Sequence, residues 1–260
     1  MELIDTHAHL TYAGLVERVD DVLANARAAG VRHIISIASD AQDAQRCLDL
    51  ARAYPGRISS TAGIHPHESG KVAEGDAARV RALLDKPEVV ALGEVGLDYY
   101  YDFADRETQK RVLGMQLELA CEVDKPLVVH CREAFDDTID LLSRYGYRDR
   151  RVVFHCFTGS SDDAKRVAEC GWRISFTGIV TFKKLTELQA IARDYPADQL
   201  MVETDSPYLS PVPVRHVKPN EPAHVAHTAR FLAALRGVDV DVLAAETTAN
   251  AEVFFGIKLQ

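Results

Sequence analysis

The stretch Val89-Val90-Ala91-Leu92-Gly93-Glu94-Val95 has no polar side chain on either of its alternating faces until Glu94. A strand at the surface of an antiparallel sheet alternates apolar and polar residues, whereas a parallel strand covered by helices on both sides is apolar throughout. The stretch therefore predicts a buried parallel strand that carries a carboxylate near its end.

Seven other apolar runs resemble this one in length and in their content of branched residues. The eight predicted strands cover residues 3–7, 33–38, 58–64, 89–95, 127–130, 152–156, 174–177 and 200–203. Stretches with helical periodicity lie between and after them, at 15–29, 41–53, 76–84, 107–123, 135–143, 162–170, 185–194 and 222–255. This alternation over 260 residues predicts an α/β fold of the (β/α)8 TIM-barrel type, with one domain over residues 1–260.

A doubly wound open sheet is the alternative arrangement of alternating strands and helices. Such a sheet usually carries a glycine-rich phosphate loop after its first strand. Here that position reads Asp5-Thr6-His7-Ala8-His9, which contains no glycine. The barrel is therefore favoured.

The composition limits the classes of function. The chain has 30 Lys and Arg against 39 Asp and Glu, a net charge of -9. This charge argues against a protein that binds duplex nucleic acid through a wide basic face.

Five scattered cysteines without a C-x-x-C pair favour a reducing compartment. The acidic start of the chain and the lack of a long apolar stretch predict neither a signal peptide nor a membrane span. We therefore expect a cytoplasmic protein without membrane contact, and a barrel that works as a monomer.

Polar side chains follow six of the eight predicted strands. Each has an ordinary structural explanation by itself, such as a turn at Asp205 or a hydrogen-bonded core histidine at His130. All six strand ends, however, lie at the rim where barrel enzymes carry their catalytic groups. The candidate metal ligands at this rim are His7, His9, Glu94, His130, His155 and Asp205, with His65 beside them.

Imidazole and carboxylate ligands together suit Zn²⁺, Mn²⁺, Co²⁺ or Fe²⁺, and suit Mg²⁺ less well. Six ligands exceed the need of one tetrahedral ion, so two ions about 3.5–4 Å apart are expected, with Glu94 as the bridge. Two divalent ions and two carboxylates leave the pocket with a charge of about +2, which favours an anionic substrate. Asp205 is placed to orient or deprotonate a water.

An ordered set of motifs resembles the TatD family of metal-dependent DNases, and the resemblance covers essentially the whole chain. The matching motifs are Ile4-Asp5-Thr6-His7-Ala8-His9-Leu10, Gly63-Ile64-His65-Pro66-His67, Gly93-Glu94-Val95-Gly96-Leu97-Asp98-Tyr99, His130-Cys131-Arg132, His155-Cys156-Phe157-Thr158-Gly159, Glu203-Thr204-Asp205-Ser206-Pro207-Tyr208-Leu209, Asn220-Glu221-Pro222 and Asn250-Ala251.

The resemblance implies a TIM barrel of the amidohydrolase type that binds two divalent ions, Mg²⁺, Mn²⁺ or Zn²⁺, and hydrolyses phosphodiesters. It implies a 3′→5′ exonuclease on single-stranded DNA ends, with some activity on RNA and a role in DNA repair. Asp205, Glu94 and His65 would be the catalytic residues, and Arg132 would clamp a phosphate. The implied ligands are His7, His9, Glu94 and Asp205 for one ion, and Glu94, His130 and His155 for the other.

The loop Val214-Arg215-His216-Val217-Lys218-Pro219-Asn220-Glu221-Pro222 departs from the family pattern, because it is one residue longer and lacks a glycine. Arg215 and Glu221 are retained, and Arg215 is a candidate substrate contact. We expect substrate preference to be the property in which this chain differs most from the family.

The consecutive residues Tyr99, Tyr100 and Tyr101 follow the Glu94 motif. They predict either base stacking, with Tyr99 as a substrate contact, or a loop anchored by aromatic packing, which we favour for at least two of them. Asp98 is expected to orient a neighbouring ligand. Cys131 and Cys156 are expected to point into the core, because neighbouring side chains alternate along a strand.

Two other functions compete with a nuclease. One is a related barrel hydrolase that cleaves another ester or amide, for example one resembling a D-aminoacyl-tRNA deacylase. The other is a binding or scaffold protein without catalysis, which the presence of all six candidate ligands argues against.

Overall fold

Eight parallel strands form the barrel in the computed structural model, which describes residues 1–101 and 103–259. The strands pair in chain order, β1 to β8. Their bounds are β1 Leu3–Ala8, β2 Val31–Ser36, β3 Ile58–Ala62, β4 Val89–Asp98, β5 Leu127–Arg132, β6 Val152–Phe154, β7 Arg173–Phe176 and β8 Leu200–Val202. The predicted (β/α)8 barrel is confirmed.

The helices lie between and after the strands. They are α1 Val19–Ala28, α2 Ala41–Ala53, α3 Asp76–Leu84, α4 Arg106–Val123, α5 Phe135–Arg144, α6 Ser161–Glu169, α7 Thr186–Asp194, α8 Val225–Arg236 and α9 Val240–Phe255. The single helical stretch predicted over 222–255 is two helices, because Gly237 adopts a left-handed conformation with φ 68° that ends α8. Within the described ranges, no helix is long and apolar enough to cross a bilayer.

One end of the barrel is closed by apolar side chains. Phe254 and Phe255 at the end of α9 belong to a buried cluster with Ile4, Val90 and Met201 from the strands. The carboxyl ends of the strands lie at the opposite end, where the polar residues follow the apolar runs. Because the end beside Phe254 and Phe255 is closed, a site can form only at the end where the strands have their carboxyl ends.

The seam between β1 and β8 closes the barrel with few hydrogen bonds, and they lie at the carboxyl ends of the strands. The amide of Asp205 donates to the carbonyl of His7 at 2.9 Å, and the amide of His9 donates to the carbonyl of Ser206 at 2.8 Å. The bonds that close the barrel therefore also bring His7, His9 and Asp205 together.

Candidate metal centre

Four predicted ligands converge on the side of the site nearest β1 and β8. His7 Nε2 lies 3.3 Å from Glu94 Oε2 and 3.7 Å from Asp205 Oδ1. His9 Nε2 lies 3.6 Å from each of the same two oxygens, and the two Nε2 atoms are 3.4 Å apart. We call these four residues the first ligand set.

The other oxygen of Glu94 faces a second group of imidazoles. Glu94 Oε1 lies 2.6 Å from His155 Nε2 and 3.0 Å from His130 Nδ1, and these two nitrogens are 3.5 Å apart. We call Glu94, His130 and His155 the second ligand set. One carboxylate thus presents a separate oxygen to each set, as a bridging ligand would.

The distances within the first set fit a tetrahedral ion. Zn²⁺ binds imidazole nitrogen and carboxylate oxygen at about 2.0–2.2 Å, which puts tetrahedral ligand atoms roughly 3.3–3.6 Å apart. The five distances of 3.3–3.7 Å in this set match that spacing. The atoms of the second set lie somewhat closer together, and both groups are able to bind a metal.

Glu94 is a buried carboxylate among histidines. Burial raises its pKa, but the interactions with His155, His65 and His7 outweigh that effect and hold the pKa well below the ordinary value. Asp205 behaves similarly, since hydrogen bonding with His9 lowers its pKa in spite of burial. Both carboxylates are therefore ionised acceptors, as metal ligands must be.

His65 lies beside the second set, with Nε2 3.4 Å from Glu94 Oε1. Its Nδ1 accepts a hydrogen bond of 3.0 Å from the amide of His67, so Nδ1 carries the lone pair and Nε2 carries the proton of the neutral ring. Burial lowers the pKa of His65 to about 4 and keeps the ring neutral. His65 is therefore a hydrogen-bond donor toward the site.

Glycines allow the strands that carry the ligands to approach one another closely. Gly96 has φ 145°, and a Cβ placed on it would lie 1.9 Å from the carbonyl oxygen of His130. A Cβ on Gly93 would lie 2.7 Å from Val128 Cβ. Side chains at either position would push β4 and β5 apart, and with them Glu94 and His130.

Two buried carboxylates support the ligands and were given no role by the sequence analysis. Glu203 Oε1 accepts a 2.6 Å hydrogen bond from the amide of Cys156 and lies 3.4 Å from His155 Nδ1. Asp5 accepts hydrogen bonds from the amide and hydroxyl of Thr204 at 2.9 and 2.6 Å, and burial raises its pKa to about 8. Asp5 lies within the buried strand β1 and Glu203 directly follows β8, and a carboxyl group in or beside a buried strand is the signal that could have identified each of them.

The site opens into a cavity of about 1290 Å³ at the carboxyl ends of the strands. Arg132, the predicted phosphate clamp, lines this cavity, and its guanidinium lies 3.9 Å from the ring centroid of Tyr100. A second arginine, Arg46, was missed; it lines the cavity and pairs with Asp43 at 3.0 Å. The predicted residues that line the cavity are His9, His65, Glu94, His130, Arg132, His155 and Asp205.

Two predicted substrate contacts lie elsewhere. The hydroxyl of Tyr99 donates to Asp137 and its ring packs under Arg106, so Tyr99 anchors the loop instead of facing the cavity. Arg215 is exposed and lies over the ring of Phe182 at 4.1 Å, outside the described cavity lining. Of the two roles predicted for the tyrosines, base stacking and anchoring of the loop by packing, Tyr99 has the second.

The cysteines next to the ligand histidines differ from each other. Cys131 is buried, as predicted. The prediction for Cys156 is wrong, because β6 ends at Phe154 and Cys156 lies beyond it with φ 44°, half-buried at the cavity. The alternation of side chains along a strand does not extend past the end of that strand.

Comparison with known proteins agrees with this geometry. The model of a family described as TatD related DNase matches residues 4–256. A protein of Escherichia coli strain K12 named as the uncharacterized metal-dependent hydrolase YcfH is 39% identical over 260 residues, covering 99% of this chain and 97% of that protein. A protein of Erwinia amylovora named 3′-5′ ssDNA/RNA exonuclease TatD is 37% identical over 259 residues, with 98% and 100% covered.

A solved structure is similar over the same length. The crystal structure of YjjV, a TatD homolog from Escherichia coli K12, superposes with a TM-score of 0.93 at 29% identity and covers 98% of each chain. The fold, the motifs and the family model therefore agree over residues 4–256.

Proposed function

The chain belongs to the TatD family of metal-dependent hydrolases, and from that premise we propose that it is a 3′→5′ exonuclease that hydrolyses phosphodiester bonds at single-stranded DNA ends. The observation that carries the proposal is the carboxylate of Glu94, whose two oxygens face two separate groups of imidazoles at the floor of an open cavity. The Erwinia amylovora relative, named as an exonuclease on single-stranded DNA and RNA, supports this choice of substrate.

His7, His9, Asp205 and Glu94 would hold one divalent ion, and Glu94, His130 and His155 would hold the second. Bound Zn²⁺, Mn²⁺ or Mg²⁺ supplies Lewis acidity that lowers the pKa of water and offsets the negative charge of a phosphodiester. The two ligand sets share Glu94, so the charge that they would hold would favour the binding of one anionic phosphate between them.

Asp205 accepts the proton of the attacking water. Its side chain is 14% exposed and lines the cavity, and its Oδ1 is held near His7 and His9 by the geometry of the first set. The backbone bond from the Asp205 amide to the His7 carbonyl fixes the carboxylate at the rim. A carboxylate in this position can orient the water and take up its proton.

His65 and Arg132 bind the phosphate. The Nε2 proton of His65 points toward the ligand sets and donates to a phosphate oxygen. The guanidinium of Arg132 lies at the cavity wall and adds charge-assisted hydrogen bonds. Both contacts concern the phosphate group alone, so base recognition requires other residues.

The test is the degradation of a 5′-labelled single-stranded oligonucleotide with Mg²⁺, Mn²⁺ or Zn²⁺. Asp205→Asn and Glu94→Gln should each lower the rate by at least about 100-fold, since each removes a charge that the reaction needs. Asp149→Asn is the matched control, because Asp149 is exposed in the loop between α5 and β6, at the opposite end of the barrel. A ladder that shortens from the 3′ end is expected.

Equal and slow degradation by the wild type and both site variants would show that the activity is a contaminant. Cleavage of a carboxylic ester or an aminoacyl bond, with no cleavage of DNA, would favour the related hydrolase instead. A 3′-labelled copy of the oligonucleotide checks the polarity, because a 3′→5′ enzyme releases its label in the first turnover.

A further inference from the structure

Two exposed aromatic pairs stand at opposite ends of the row of imidazoles. The first pair is Tyr12 and Tyr208, 47% and 49% exposed, with ring centroids 5.8 Å apart. Tyr208 lies 6.2 Å from the ring of His9, a member of the first ligand set. Both tyrosines line the cavity.

The second pair is Tyr101 and Phe103, 41% and 65% exposed, whose rings stack at a centroid distance of 5.6 Å. Both contact the ring of His67, at 5.4 and 4.8 Å, and His67 lies 5.8 Å from His130 in the second ligand set. This pair also lines the cavity.

Packing of the loop does not account for the second pair. Tyr99 already ties this loop to Asp137, and Asp98 holds the amides of Tyr100 and Tyr101 at 2.9 and 3.0 Å. Phe103 nevertheless leaves most of its surface in water, next to the site. Exposed aromatic side chains beside a polar site are typical of a binding surface.

We propose that these two pairs stack on the bases of the two nucleotides that flank the scissile phosphate, an inference that rests on the proposed nuclease function. A phosphate seated between the ligand sets has one sugar directed toward His9 and the other toward His67. Each neighbouring base then meets an exposed ring. The substrate is a single strand that has at least one base on each side of the bond that breaks.

The charge of the chain supports this arrangement. A protein of net charge -9 gains little from long-range attraction to DNA. The local positive charge at the second pair comes from Arg132, whose guanidinium lies 3.9 and 5.0 Å from the ring centroids of Tyr100 and Tyr101. Stacking on aromatic rings binds single strands without a wide basic groove, and it accepts any base. Bases in a duplex are paired and stacked on one another, so a blunt duplex end cannot reach both pairs at once.

The experiment compares oligonucleotides in which the terminal or the penultimate nucleotide is replaced by an abasic tetrahydrofuran residue. For the wild type, each replacement should raise KM about tenfold and change kcat little, which is the scale of one base stacked on an aromatic ring. The double replacement should raise KM about 100-fold, because the two stacking free energies add.

Variants assign each pair to one position. Tyr208→Leu should abolish the sensitivity to base removal at one position, and Phe103→Leu should abolish it at the other. Tyr54→Leu is the matched control, because Tyr54 lies between α2 and β3, at the end of the barrel opposite the cavity, and should leave both ratios of abasic to normal KM unchanged. A merely structural role would lower the cleavage of normal and abasic oligonucleotides by the same factor.

The outcomes separate the two proposals. If the wild type cleaves normal and abasic oligonucleotides equally well, or if both variants affect the same position, the two-sided contact is wrong although the enzyme is a nuclease. If the wild type with added metal cleaves neither, the nuclease proposal fails and the stacking proposal falls with it. The comparison of substrates on the wild type needs no variant, so it stands even if a variant does not fold.

Discussion

Asp98 Oδ2 accepts a hydrogen bond of 2.9 Å from His130 Nε2, which leaves His130 Nδ1, 3.0 Å from Glu94 Oε1, as the ring nitrogen available to a metal ion. The same oxygen lies 2.9 Å from His67 Nε2. Burial raises the pKa of Asp98, but the hydrogen bonds from His130 and His67 outweigh it and bring the pKa below the ordinary value. One buried carboxylate therefore fixes the orientation of a predicted metal ligand, as the sequence led us to expect.

Removal of this carboxylate should weaken the binding of one metal ion. For Asp98→Ala we expect affinity to fall by about 10–100-fold, because His130 loses the partner that holds its ring. Asp98→Asn should lose less metal affinity than Asp98→Ala, since the amide oxygen of Asn still accepts a hydrogen bond from His130. Competition with a chromogenic chelator measures the affinity, and Asp137→Asn is the control, because Asp137 contacts Tyr99 and Lys110 instead of an imidazole. Unchanged affinity in Asp98→Ala would contradict the positioning role.

The bridging position of Glu94 predicts different metal contents for two variants. Glu94→Ala removes an oxygen from both ligand sets and should bind neither ion tightly, whereas His9→Ala affects the first set alone and should keep one ion. The wild type should hold two. Plasma mass spectrometry after dialysis gives the ratio of metal to protein without reference to activity.

The control for this measurement is Glu107→Ala, because Glu107 is exposed in the first turn of α4. It should retain the metal content of the wild type. A Glu94→Ala protein that keeps two ions, or a His9→Ala protein that loses both, would show that the two sets are not joined through Glu94.

The sequence predicted the barrel because eight short apolar runs alternate with helical stretches, and because several of these runs, such as residues 89–93, are apolar on both faces. It also predicted that the ligands lie together, since they share the rim of one barrel. Tyr99 and Cys156 could not be placed, because their directions depend on a loop conformation and on the residue at which β6 ends. Glu203 was overlooked, because its contacts to His155 and Cys156 come from the meeting of distant strands.

The close contact of β4 and β5 makes Gly96 a sensitive position. In Gly96→Ala the new Cβ would meet the backbone of His130 at 1.9 Å, so the strands must separate, and we expect a loss of more than about 3 kcal/mol in the free energy of unfolding. Gly146→Ala is the control, because Gly146 also has a positive φ, of 76°, but a Cβ placed on it would have no neighbouring atom within 4 Å. That variant should lose only about 1–2 kcal/mol. Urea unfolding measures both, and equal losses would contradict the close approach.

His33 should make the fold sensitive to acid. Burial lowers its pKa; its ring contacts Ser59 Oγ through Nε2 at 2.9 Å and the carbonyl of Gly56 through Nδ1 at 3.2 Å. Because the folded pKa lies below that of the unfolded chain, near 6.5, the neutral ring's contribution to stability is complete above pH 6.5 and is lost as the pH falls below it.

We therefore expect wild-type stability to fall between about pH 6.5 and 5.5 more steeply than that of His33→Gln, whose side-chain amide can make both hydrogen bonds without titrating. The difference in slope cannot exceed about 1.4 kcal/mol per pH unit, the limit for one proton. His216→Gln is the control, because His216 is exposed and should keep the wild-type slope. Urea midpoints at fixed metal concentration measure the slopes, and the other histidines titrate alike in all three proteins. Parallel curves for the wild type and His33→Gln would show that the neutral ring of His33 does not set the acid sensitivity.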